Sequence, residues 1–129
     1  MVDYRALVGR QWDYGQHDCF SLLRDYYQLL KIDVPDFPRP ESLQAADNLF
    51  IKYARAAGFD EVSFEDRVPH DVLIMKLGTK TPMHAAIYVG NDKILHQRMN
   101  GISAVEPLRR YYWQRTAAVF RHATCHAGR

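Results

Sequence analysis

The order of two periodicities constrains this chain more than any single residue does. The first half repeats apolar residues at helical spacing, and the second half breaks into short apolar runs bounded by turn residues. Phe20, Leu23, Tyr26, Tyr27 and Leu30 share one face of a helix that Asp18 is placed to cap. Pro35, Pro38 and Pro40 then interrupt regular helix. Beyond them Leu43, Ala46, Leu49, Phe50, Tyr53, Ala54 and Ala57 resume the helical repeat, up to a stop at Gly58. Residues 71–76, 85–89, 93–97, 102–105 and 116–121 read as strands, with Gly90-Asn91-Asp92 and Asn100-Gly101 as turns. Helices first and an antiparallel meander afterwards predict an α+β domain.

A chain of 129 residues suits one domain. The expected boundaries are residues 1–122 for the domain and 123–129 for a flexible C-terminal tail. The hydrophobic share of 47% and charged share of 25% are those of an ordinary globular protein. A net charge of +2 is too small to argue for nucleic acid or an anionic membrane. The late arginines, Arg109, Arg110, Arg115, Arg121 and Arg129, read as a solvated face. The start, Met1-Val2-Asp3-Tyr4-Arg5, has no apolar core after a basic region, so no signal peptide is expected. No apolar run approaches the roughly 20 residues of a membrane-spanning helix, so neither membrane insertion nor export by its own signal is expected.

Two cysteines, Cys19 and Cys125, do not make a disulfide framework. His122, Cys125 and His126 lie close together, but three ligands at a terminus form a poor zinc site, and no cofactor is expected. Cys19 differs from Cys125 in following a cap at the start of the most amphipathic helix. Free backbone N–H groups there favour a thiolate. A small buried hydrophobe would occupy the same position equally well. A nucleophilic reading needs a base, and the chain has six histidines. His17 stands too close to Cys19 in sequence to face it. His84 and His96 fall on one hairpin, where buried imidazoles have little use unless something specific holds them. Together Cys19, His84 and His96 have the makings of a nucleophile, a base and an orienter.

Four segments then carry a resemblance to a known family. Trp12-Asp13-Tyr14-Gly15-Gln16-His17-Asp18-Cys19-Phe20 resembles the aromatic, glycine and Asp-Cys segment of NlpC-type cell-wall peptidases. Pro69-His70-Asp71-Val72 resembles their Pro-Gly-Asp-Leu strand start, His84-Ala85-Ala86-Ile87-Tyr88-Val89-Gly90 their His-Val-Gly-Ile-Tyr-x-Gly strand, and Ile94-Leu95-His96 the strand after it. Asp-Cys-Phe-Ser-Leu and the closing Trp113-Gln114-Arg115 resemble the branch found in lambda-type phage tail assembly proteins. The resemblance implies a papain-like fold with its helices on a small antiparallel sheet, Cys19 as nucleophile, His84 as base and His96 as the third polar residue. It also implies that Trp12, Tyr14 and Asp18 are candidates for oxyanion support or substrate binding. The implied substrate is a peptide of bacterial peptidoglycan, cut at a γ-D-glutamyl bond. The implied partners are phage tail-tip proteins, and the implied location is the host cytoplasm during synthesis and then the virion tail. Phe20 and Ser21 replace the family's small residues after cysteine, and His70, where the family has glycine, reads as a turn residue.

Two function classes follow: a peptidoglycan endopeptidase, or a tail-assembly module that keeps a hydrolase fold for docking. The first makes a geometric demand. Side chains alternate along a strand, so a two-residue turn at Asn91-Asp92 alone would turn His84 and His96 to opposite faces. An odd-length loop, or a bulge, is required for the two to cooperate.

Overall fold

The computed structural model describes residues 2–36, 49–79 and 81–127. A six-stranded antiparallel sheet carries the domain, in the order β1-β6-β2-β3-β4-β5. In chain order the elements are α1 (Cys19–Leu29), α2 (Leu49–Ala54), β1 (Phe59–Val62), β2 (Val72–Met75), β3 (His84–Gly90), β4 (Lys93–His96), β5 (Ala104–Pro107), α3 (Arg110–Trp113), β6 (Thr116–His122) and α4 (Ala123–Ala127). The α+β expectation holds. Three elements differ from the sequence expectation: β1, which pairs with β6 at one edge, the single turn α3 and the short α4. Residues 37–48, which include the start of the expected second helix from Leu43, lie outside the described residues, and α2 falls in the rest of that helix. Where a flexible tail was expected from residue 123, α4 makes a short helix whose Ala123 N–H donates to Gly58 O.

The helix α1 forms where its cap and its apolar spacing agree. The Asp18 side chain accepts from the Ser21 N–H at 2.9 Å and from the Ser21 hydroxyl at 2.9 Å, and its other oxygen accepts from the Gly15 N–H. Phe20, Leu22, Leu23, Tyr26 and Tyr27 are buried against Val72, Ile74, Ala85, Ile87, Leu95 and Phe120 on one face of the sheet. Each such side chain contributes roughly 1.5–3 kcal/mol by leaving water. A second cluster on the other face joins Leu73, Met75, Ala86, Tyr88, Ile94 and Val119 to Leu108 and Tyr112. The strands are therefore covered on both faces, which is why β2 is an uninterrupted buried run.

Between β3 and β4 the turn is the two-residue one. Asn91 and Asp92 both have positive φ (54° and 55°), and Gly90 pairs with Lys93. The register then shifts between Tyr88 and Gly90, so Val89 is an extra residue and Ala86 pairs with His96. That bulge restores the parity, and His84 and His96 become diagonal neighbours on one face.

At the start of β2, His70 has φ 84°, a left-handed conformation that costs a non-glycine residue about 1–2 kcal/mol. Glycine would adopt it freely. Here the ring is held instead: the Tyr26 hydroxyl and His70 Nδ1 share a hydrogen bond at 2.7 Å, and the Tyr27 hydroxyl donates to the His70 carbonyl. Asp71, fully buried, forms a two-point ion pair with Arg121 at 2.8 and 2.9 Å. Arg121 is thus no part of a solvated face, its side chain being 12% exposed. Arg109, Arg110 and Arg115 are exposed as expected, with Arg109 paired to Glu106 and the Arg115 guanidinium 3.8 Å from the centre of the Tyr111 ring.

Candidate active site

Cys19 opens α1 and packs, half-buried, against the cluster on the helix side of the sheet. His84 opens β3 and shares its face with Ala86 and Tyr88, the face away from α1. Both reach the start of β3. The Cys19 thiol reaches the carbonyl of Met83 at 3.5 Å, one residue before His84, and both side chains line one cleft. The cleft has a volume of ≈ 480 Å³, a size suited to a small ligand or a peptide end.

Behind His84 the polar groups continue in line. His84 Nε2 lies 2.9 Å from His96 Nδ1, with the rings edge to face. His96 Nε2 lies 2.7 Å from Glu106 Oε2. The other carboxylate oxygen accepts from Arg109 Nη2 at 2.7 Å and from the Tyr112 hydroxyl at 3.1 Å. Arg98 Nε stands 3.8 Å from Oε2.

Burial dominates the electrostatics. It pushes the pKa of His84 down to about 3, helped by the charge that His96 would carry if protonated and by the charge of Arg98. His96 is also lowered by burial, although its bond to Glu106 and the charge of Glu106 work the other way. For Glu106 burial pulls upward, but the bond and charge of His96, the Tyr112 hydroxyl and the charge of Arg98 outweigh it and hold the carboxyl below its ordinary range. The site thus holds two neutral imidazoles backed by an ionised carboxylate. Taking a proton from Cys19 would be a different event from uptake from solvent, because it leaves a thiolate as countercharge beside the ring.

The remaining sequence candidates fall as follows. Trp12 and Tyr14 both line the cleft, with ring centroids 6.0 Å apart and nearly parallel. The Trp12 backbone is fixed by its main-chain N–H, which donates to Gly101 O. Asp18 also lines the cleft, but its carboxylate is buried and accepts from its own loop and helix, which makes it the support of Cys19's position. His17 closes a tight loop with Asp13, is exposed, and does not line the cleft. His122 packs edge-on against Tyr27 and Phe59. Phe20 lines the cleft wall, as its place after Cys19 implied.

Glu106 is the group that sequence reading missed. The sequence pattern predicts a strand over residues 102–105, whereas β5 spans Ala104–Pro107. His96 pairs with Ala104, so Glu106, two residues on, projects from the same face. An acidic residue two places beyond an apolar strand position was the available signal, but its meaning depends on that register. Gln97, also buried in the cleft lining, was likewise passed over.

A helix-capped cysteine, two histidines set edge to face and an antiparallel sheet are the arrangement of the papain-like fold class. Residues 9–122 match the NlpC/P60 family, and the chain belongs to that family, whose members are generally cysteine peptidases. It is 35% identical over 117 residues to the tail tip assembly protein K of Escherichia phage lambda, across 90% of this chain and 59% of that protein. The chain therefore spans less than two thirds of that relative's length. In fold it is similar to the crystal structure of an NLP/P60 family protein, described as similar to lipoprotein, from Staphylococcus aureus subsp. aureus Mu50. The TM-score is 0.62 at 19% identity, over 91% of this chain and 38% of that one. Among the described residues, no helix is long and apolar enough to cross a membrane.

Proposed function

We propose that this chain is the cysteine peptidase domain of a phage tail-tip protein and cleaves peptide bonds in bacterial peptidoglycan, of the γ-D-glutamyl type. The observation that carries the reading is the placement of Cys19 at a capped helix start, in one cleft with His84, itself bonded to His96. In the proposed reaction Cys19 gives its proton to His84 and its sulfur attacks the scissile carbonyl. The tetrahedral intermediate expels the amine, which takes the proton back from His84. A water activated by His84 then hydrolyses the thioester and frees the cysteine. The Cys19 backbone N–H, in the first turn of α1, is the preferred oxyanion donor, with the Trp12 indole N–H and the Tyr14 hydroxyl as further candidates.

The alternative, a tail-assembly module that keeps the fold for docking, draws on the tail tip assembly role in the name of the lambda relative. One experiment separates them. Purified peptidoglycan and its soluble stem peptides are incubated with the protein and with Cys19→Ala, and the products are read by mass spectrometry. Cleavage by the intact protein alone supports the peptidase. No cleavage by either, with both folded, supports the assembly module.

A further inference from the structure

The hydrogen bonds leading out of the cleft dictate where each imidazole carries its proton. An ionised carboxylate only accepts hydrogen bonds, so His96 Nε2, 2.7 Å from Glu106 Oε2, must bear hydrogen. A neutral imidazole has one donor and one acceptor nitrogen, so His96 Nδ1 is the acceptor. His84 Nε2, 2.9 Å from it, must then be the donor. His84 Nδ1 is left with its lone pair.

We propose that Glu106 is a positioning residue: acting through His96, its carboxylate selects the tautomer of His84 whose Nδ1 can take the proton of Cys19. The purpose of the device rests on the peptidase reading above, but its geometry does not. The proton count is simple. The Cys19 proton moves to His84 Nδ1, the electron pair stays on sulfur, and His84 becomes an imidazolium still donating through Nε2 to His96. No proton passes to Glu106. Its charge, set behind His96, stabilises the imidazolium and holds the order of donors.

The carboxylate is itself oriented. Arg109 and the Tyr112 hydroxyl both donate to Oε1, while Oε2 has only His96 within hydrogen-bond distance and Arg98 farther off at 3.8 Å. This asymmetry predicts a specific outcome for Glu106→Gln, which has the same shape. Those two donors select the carboxamide oxygen at the Oε1 position, so the amide NH2 faces His96 Nε2. The chain then reverses: His96 Nε2 accepts, Nδ1 donates to His84 Nε2, and His84 Nδ1 carries hydrogen. A base with that nitrogen blocked cannot act.

The test is 15N NMR of histidine-labelled full-length protein near pH 7, with His84 and His96 assigned by single substitutions. In the native protein His84 is expected to be protonated at Nε2 and bare at Nδ1. In Glu106→Gln it is expected to be protonated at Nδ1, whereas Glu106→Asp is expected to keep the native tautomer. A native His84 protonated at Nδ1 overturns the proposal without any variant. So does Glu106→Gln with unchanged tautomers. Where the native protein cleaves peptidoglycan peptides, Glu106→Gln should lower kcat by about 10³–10⁴-fold, as wrong-tautomer variants do, with little change in KM. Glu106→Ala, which lets water replace the carboxylate, should lose less. A Gln variant more active than the Ala variant overturns the proposal. If the native protein cuts nothing, the peptidase reading fails, while the NMR result still decides the role of Glu106.

Discussion

Holding His84 neutral in the folded protein has a measurable consequence for stability. Its folded pKa is pushed down to about 3 by burial, against an ordinary 6.5 once the chain unfolds. Between those values the unfolded chain binds a proton that the folded chain does not. Stability from this group is therefore complete above pH 6.5 and is lost as pH falls through that window towards 3. The slope is about 1.4 kcal/mol per pH unit, so between pH 7.5 and pH 4.5 the loss is about 2–3 kcal/mol. Aspartates and glutamates also titrate near the lower end, so the native protein is compared with His84→Gln, whose carboxamide keeps a donor for His96 Nδ1. Urea unfolding at pH 7.5, 6.5, 5.5 and 4.5 gives two stability curves, and carboxylates common to both cancel in their difference. The native protein is expected to lose about 2–3 kcal/mol more than the variant over that range. Parallel curves would refute the assignment of a neutral buried ring. A native curve that falls less steeply than the variant's would refute it more directly, since His84 would then be protonated in the fold, paired with a Cys19 thiolate.

Two further expectations concern the scaffold. Arg121→Ala leaves the fully buried Asp71 carboxylate with the Val68 N–H but no counter-charge. It should cost about 3–5 kcal/mol in chemical denaturation, whereas replacing both partners with apolar residues of similar volume should recover much of that; a single-variant loss under about 1 kcal/mol would refute the burial argument. Gly90→Ala places a side chain at φ 92°, with its Cβ 3.4 Å from Pro69 Cγ. It should cost about 1–2 kcal/mol, and an unchanged urea midpoint would show that the bulge does not need glycine.

Much of the site was legible because its signals are local. A cap residue, a following apolar repeat and the turn after β3 each act within a few residues, so Asp18, Cys19 and the hairpin carrying His84 and His96 could be located from spacing. The family followed from four such segments in order, and the match over residues 9–122 agrees. The strand β1 escaped notice because its pattern, Phe59 buried with Asp60 and Glu61 exposed, is too short to outweigh its charges. It becomes a strand only because β6 offers it an edge. His70 read as an ordinary turn residue, since the hydroxyls of Tyr26 and Tyr27 that hold it in a left-handed conformation come from another element.

What tertiary structure alone decided is which polar groups face one another. Alternation along one strand fixes faces only relative to that strand. Whether two strands agree depends on where an extra residue is placed, and here it is Val89 that turns His84 and His96 to one face. Glu106 shows the same limit. Nothing within β5 distinguishes it from a polar residue at a strand's end, and it joins the line only because Ala104 pairs with His96. The amino-acid sequence determined the position of Cys19 through contacts a few residues long. The line of polar groups from His84 to Glu106 was set by register between strands, a property of pairs of segments that no single segment carries.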